Sequence, residues 1–188
     1  MSEPYILSCE STVDLPYSYV AGRNIPVLFY SYTIDGETFV DDMLRAPDAL
    51  PHFYALLNAG KFSNTSQINT YDYETYFDEQ LQKGDLLHIV FGSGMTASVR
   101  NAEEAADSMR KKYPDRKLIV IDSLCSSSGY GMLVDEAAVI NNEDAFTTCP
   151  WKTLPTGSLK TANISTTSST APISNISAAA GAFPVLPP

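Results

Sequence analysis

The chain has 188 residues, 44% hydrophobic and 18% charged, which supplies a globular core and argues against wholesale disorder. A net charge of −10 argues against a sequence-independent nucleic-acid binder, which needs a basic face, and against adsorption on an anionic membrane. No basic start with a long apolar run marks a signal peptide or spanning helix, and the three cysteines are odd in number and widely spaced. A cytoplasmic protein with reduced thiols, without membrane insertion, is therefore expected.

In chain order, Tyr5-Ile6-Leu7 reads as a strand entering the polar loop Ser8–Asp14, and Asp14-Leu15-Pro16 opens a helix. Ile25 to Tyr32 is rich in β-branched and aromatic residues, as one strand would be, and Asp35-Gly36 turns it into a return strand at Thr38-Phe39-Val40. Leu50, Phe53, Tyr54, Leu56 and Leu57 recur at helical spacing until Gly60 stops them. Residues 71–82 form a further predicted helix with Tyr73, Tyr76, Phe77 and Leu81 on its apolar face.

The near-continuous apolar run Leu86–Phe91 suits a strand buried on both faces of a parallel sheet. Gly92-Ser93-Gly94 turns into a helix over 96–112 whose buried stripe is Val99, Ala102, Ala106 and Met109. Leu118–Ile121 is a second buried strand, and Gly129 to Ala138 is helical. Strand and helix alternate, so the fold expected is α/β: a mainly parallel sheet with helices on both faces. The first domain is placed at 1–140. Residues 141–188 are set apart as a low-complexity, irregular or disordered tail, since Asp144 is the last acidic residue and Ser, Thr, Ala and Pro dominate from Trp151.

Chemistry is expected in three polar loops: Ser8–Asp14, Ser63–Gln67 and Gly92–Thr96. Loops at the carboxyl ends of parallel strands converge on the ligand crevice, and a loop that leads into a helix N-terminus favours an anion such as a carboxylate or phosphate. The competing reading is ordinary turns and caps rich in Ser and Thr. Gly92-Ser93-Gly94 also resembles part of a nucleophile elbow, but Phe91 stands where the first glycine belongs, and His52 and His88 read as structural. Glu10 and Asp14 are expected as a solvated loop acid and a helix cap, and Cys125 as a packed or free thiol. No glycine-rich phosphate loop and no metal-ligand spacing are present, so no cofactor and no metal are expected.

Taken together, Ser11-Thr12-Val13-Asp14-Leu15-Pro16, Ile25-Pro26-Val27, Thr65-Ser66-Gln67, Ser93-Gly94-Met95-Thr96-Ala97-Ser98 and Ile121-Asp122-Ser123 with Ser128-Gly129-Tyr130-Gly131 resemble, in order, the motifs of the DegV family of bacterial fatty-acid-binding proteins. Glu10 stands where that family usually has Asp, and Ile68 where it has Pro. The resemblance covers residues 5–138. It implies a long-chain fatty acid in a tunnel, presented to a partner fatty-acid kinase by a carrier that is not itself the enzyme. It also implies a carboxylate held by Thr65 and Ser93, with Ser66, Gly94 and Met95 in the same loops. The alternative is a small serine esterase with Ser93 as nucleophile.

The resemblance also implies a second domain with an Arg-Gly-Gly-Arg motif, and that motif does not occur in residues 1–188. Read out of frame, residues 177–185 permit that motif and residues 165–169 an Asp-Asp-Leu-type sequence. The tail is therefore expected to be a frameshifted remnant of a second domain, with the slip between Ala138 and Cys149 and a native low-complexity tail as the alternative.

Overall fold

The computed structural model describes residues 5–142; the tail set apart at 141–188 lies outside them except for Asn141 and Asn142. Four strands form a parallel sheet: β1 (Ile6–Glu10), β2 (Val27–Leu28), β6 (Leu86–Val90) and β7 (Leu118–Asp122), in the order β2-β1-β6-β7. Ile6 pairs with Leu86, Leu86 with Leu118, and Cys9 with Val27. The apolar runs at 86–91 and 118–121 form these strands because both faces of the sheet are covered.

One face is packed by α3 (Thr70–Leu81) and α4 (Ser98–Lys112), with Tyr73, Phe77, Leu81, Ala102, Ala105 and Ala106 buried against Leu86 and Val90. Small alanines on α4 let it lie close to α3. The other face is covered by α1 (Tyr17–Gly22) and α5 (Ser127–Asn142), where Val20, Tyr130, Val134 and Ala138 meet Leu7, Cys9 and Ile89. Helices thus lie on both faces, as the sequence predicts. Asn69 caps α3, its side chain accepting the Asp72 N–H, and Arg110, Lys111 and Lys112 close α4 at the negative end of its dipole.

A second sheet departs from the sequence reading. The single strand expected over 25–32 breaks in two: β2 joins the parallel sheet, while β3 (Ser31–Ile34) pairs antiparallel with β4 (Glu37–Val40). The other neighbour of β3 is β5 (Ser63–Ser66), the segment expected to be a loop. All four residues of β5 are polar and exposed, so it carries none of the alternation by which a strand is recognised. Helix α2 (Ala49–Asn58) forms where expected, but none of its residues is fully buried.

Candidate functional site

In the parallel sheet, β1 connects through α1 to a neighbour on one side, while β6 leads through α4 to β7 on the other. The chain therefore reverses its direction of winding between β1 and β6, and the crevice of such a sheet opens beyond the carboxyl ends of those two strands. The turn Ser11–Val13 follows β1, and Gly92-Ser93-Gly94 follows β6.

A half-open cavity of about 300 Å³, at the lower end of the roughly 300–1,000 Å³ of ligand pockets, lies beyond the ends of β1 and β2, beside this point. Thr12 and Tyr30 line it from the ends of β1 and β2; Tyr32, Ser63 and Thr65 line it from the antiparallel sheet. Its apolar wall is Val40, Leu44, Leu50 and Phe53, and three of these expose apolar side chains: Val40 at 55%, Leu44 at 65% and Leu50 at 44%. Asp41 and Asp42 stand on the same lining, with their carboxylates engaged by backbone N–H groups of Met43, Leu44 and Ala46.

Of the predicted site residues, Thr65 lines this cavity, and its partner across the ladder, Tyr32, packs edge-on to Phe53 of α2. The Thr65 hydroxyl makes no hydrogen bond to any described residue. Ser66 alternates to the opposite face of β5 and is not part of the lining. Ser93, Gly94 and Met95 sit on the exposed loop after β6, outside the cavity wall, with the Ser93 N–H donating to Asp122 Oδ1 at 3.0 Å. A hydroxyl chain joins that loop to the cavity: Thr96 Oγ1 to Ser98 Oγ at 3.0 Å, and Ser98 Oγ to the Tyr30 hydroxyl at 2.8 Å.

Beneath this chain lies a carboxylate that the sequence reading places in solvent. Glu10 is completely buried. The Tyr73 hydroxyl donates to its Oε1, while the Phe91 N–H at 2.9 Å and the Tyr30 hydroxyl at 3.5 Å donate to Oε2. The Glu10 N–H in turn donates to the Tyr130 hydroxyl at 2.9 Å, which itself donates to the Ile89 carbonyl at 2.5 Å. Burial first, and then the Glu10 charge, push the Tyr30 and Tyr73 phenols far above their ordinary range, so both stay protonated donors. Glu10 was misassigned because its partners lie 20 to 81 residues away; its one local signal is that it directly continues an apolar strand. Asp14 is exposed as expected, in a left-handed turn, and accepts from Ser127 Oγ.

The esterase constellation is not assembled among the described residues. His88 is fully buried, with Nδ1 bonded to Ser8 Oγ at 2.7 Å and its ring packed against Tyr73, Tyr76 and Phe77; His52 packs on Phe39. Neither imidazole bonds Ser93. Cys9 is a buried free thiol and Cys125 an exposed one.

A parallel α/β sheet with an apolar cavity and hydroxyl groups at its carboxyl edge is the arrangement in which open α/β domains form their crevices. Residues 7–149 match the family model described as "Uncharacterised protein, DegV family", and the chain belongs to that family. A DegV domain-containing protein of Clostridium perfringens is 28% identical over 142 residues, covering 74% of this chain and 48% of that protein. One of Lactococcus lactis is 29% identical over 134 residues, covering 71% and 46%. The chain thus spans about half the length of these relatives.

Among solved structures, a stearic-acid-binding protein from Eubacterium ventriosum superimposes with a TM-score of 0.64 at 21% identity, covering 72% of this chain and 47% of that one. A DegV family protein from Thermus thermophilus, described for its fatty-acid binding, gives 0.62 at 23% identity, covering 77% and 50%. At these identities the likeness establishes the shared fold. No helix among the described residues is long and apolar enough to cross a membrane.

Proposed function

We propose that this domain binds a long-chain fatty acid, holding the carboxylate at the hydroxyl-bearing edge of the sheet and laying the acyl chain along Val40, Leu44, Leu50 and Phe53. One observation carries the reading: Thr65, picked from sequence as a head-group ligand, lines the same cavity as this exposed apolar wall, with its hydroxyl unused. A hydroxyl that donates to a carboxylate makes a charge-assisted bond and orients the ligand. The tail supplies affinity: about fifteen methylenes at roughly 0.8 kcal/mol each give on the order of 12 kcal/mol, before the costs of ordering.

In this reading Ser93 is the second donor, reached from the loop after β6 with Gly94 and Met95 beside it. The relatives' greater length supplies the remaining cover of the acyl chain. The domain acts as a carrier in the cytoplasm and delivers its acid to a fatty-acid kinase, with no chemistry of its own. Support comes from the neighbours described as fatty-acid-binding.

The test is incubation with oleate and, separately, with a chromogenic ester. One oleate retained per chain, without ester turnover, is expected. Turnover that Ser93→Ala abolishes would replace the carrier with an esterase.

A further inference from the structure

The turn after β1 holds a hydroxyl that the fold leaves unused. Ser11 Oγ accepts the Tyr30 N–H at 3.0 Å and so ties this turn to the end of β2. Thr12, the next residue, lines the cavity, yet its Oγ1 is closed off from solvent and has no hydrogen-bond partner. Among the described residues only the Tyr76 hydroxyl and His88 Nε2 share that condition, and neither residue lines the cavity. Leaving a buried hydroxyl unpaired costs stability, and such a group at a binding site marks a place where function outweighs that cost.

We propose that Thr12 is a ligand-binding residue whose hydroxyl donates to the carboxylate of the bound acid, so that the head group is held between the turn after β1 and Thr65 of β5. This rests on the fatty-acid reading and names the donor within the polar loop expected at Ser8–Asp14. A step in χ1 exchanges the hydroxyl with the methyl or hydrogen position on the same carbon, so the hydroxyl can be redirected without moving the backbone.

Asp41 and Asp42 repel a carboxylate, and their oxygens are occupied by backbone N–H groups. Tyr30 spends its proton on Glu10 or Ser98, while the hydroxyl-bearing Ser31, Tyr32 and Ser63 also stand on the lining. Thr12 and Thr65 are the threonines of the lining, each with an uncommitted hydroxyl, and among the described lining residues only that of Thr12 is closed off and unpaired.

The experiment compares the full chain with Thr12→Val and Thr12→Ser, by thermal melting without ligand and by equilibrium binding of oleate and methyl oleate. Thr12→Val removes an unpaired polar atom at constant shape. It should melt above the wild type, bind oleate about tenfold more weakly and bind methyl oleate within about threefold. Thr12→Ser keeps the hydroxyl and should hold oleate within about threefold of the wild type. A Thr12→Val protein that melts below the wild type, binds oleate as well as the wild type, or loses both ligands equally overturns the role of Thr12. That result leaves the carrier reading standing, because the wild type still binds. A wild type that takes up neither ligand fails the carrier reading itself, and the Thr12 proposal with it.

Discussion

Glu10 Oε2 accepts the backbone N–H of Phe91 at 2.9 Å, tying the end of β1 to the end of β6 one residue before Gly92. The bond crosses the point where the sheet reverses its winding, so the turn bearing Thr12 and the loop bearing Ser93 are set by one buried carboxylate. Glu10→Gln keeps the shape but presents an amide to donors that need acceptors. It should lower stability by about 3 kcal/mol in urea denaturation, since hydrogen bonds to a buried charge are lost and their donors stranded. A loss below about 0.5 kcal/mol would mean that the network is not what fixes the two turns.

The loop after β6 also depends on Gly92. A Cβ there would lie 2.7 Å from both the backbone N and O of Cys125, and the Gly92 N–H donates to the Cys125 carbonyl at 2.9 Å. Gly92→Ala is therefore expected to force backbone apart and cost about 2 kcal/mol, with weaker fatty-acid uptake as the Ser93 loop shifts. Thermal melting and oleate titration of the same variant check both parts.

Buried protonated groups give a pH signature. Burial holds the Tyr73, Tyr76 and Tyr130 phenols and the Cys9 thiol protonated well above their ordinary values near 10 and 9. A raised value in the folded state means that the unfolded chain gives up these protons first. Their contribution is complete below about pH 8 and is lost as pH rises beyond 9 to 10, at about 1.4 kcal/mol per pH unit for each proton withheld. Urea midpoints measured from pH 7 to 11 should hold level and then fall steeply; a level curve to pH 11 would contradict the packing of these residues.

The exposed apolar wall makes a prediction of the opposite kind. Leu44 and Leu50 are 65% and 44% exposed, so replacing both with Ser should leave the melting temperature nearly unchanged. Oleate affinity should fall by about tenfold or more, because each leucine gains burial only against the acyl chain. Retained affinity would move the acyl chain elsewhere.

The parallel sheet and its helices were legible because β6, α3 and α4 carry strong hydrophobic runs or stripes matched to their burial, and β7 an apolar run although only Leu118 of it is fully buried. β5 was not, because an edge strand of exposed Ser, Asn, Thr and Ser looks like a loop. The division of 25–32 between two sheets was hidden because the apolar run Val27–Tyr30 leads up to β3 with no Gly or Pro at the switch. At the proposed site, Thr65 stands in a recognisable motif, and the structure sets it on the cavity lining. The burial of Glu10 was not, since its partners come from three other segments and leave no spacing in the local sequence. The unpaired hydroxyl of Thr12 likewise appears only once the cavity is formed.

Calorimetric titration of oleate into the wild type and Thr65→Val tests the central claim most directly. Thr65 is exposed on an edge strand, so the variant should fold as the wild type does. The account predicts one oleate per wild-type chain and affinity about tenfold weaker for Thr65→Val, as expected for one charge-assisted hydrogen bond. Equal affinity in the two proteins, or no binding by the wild type, would contradict it.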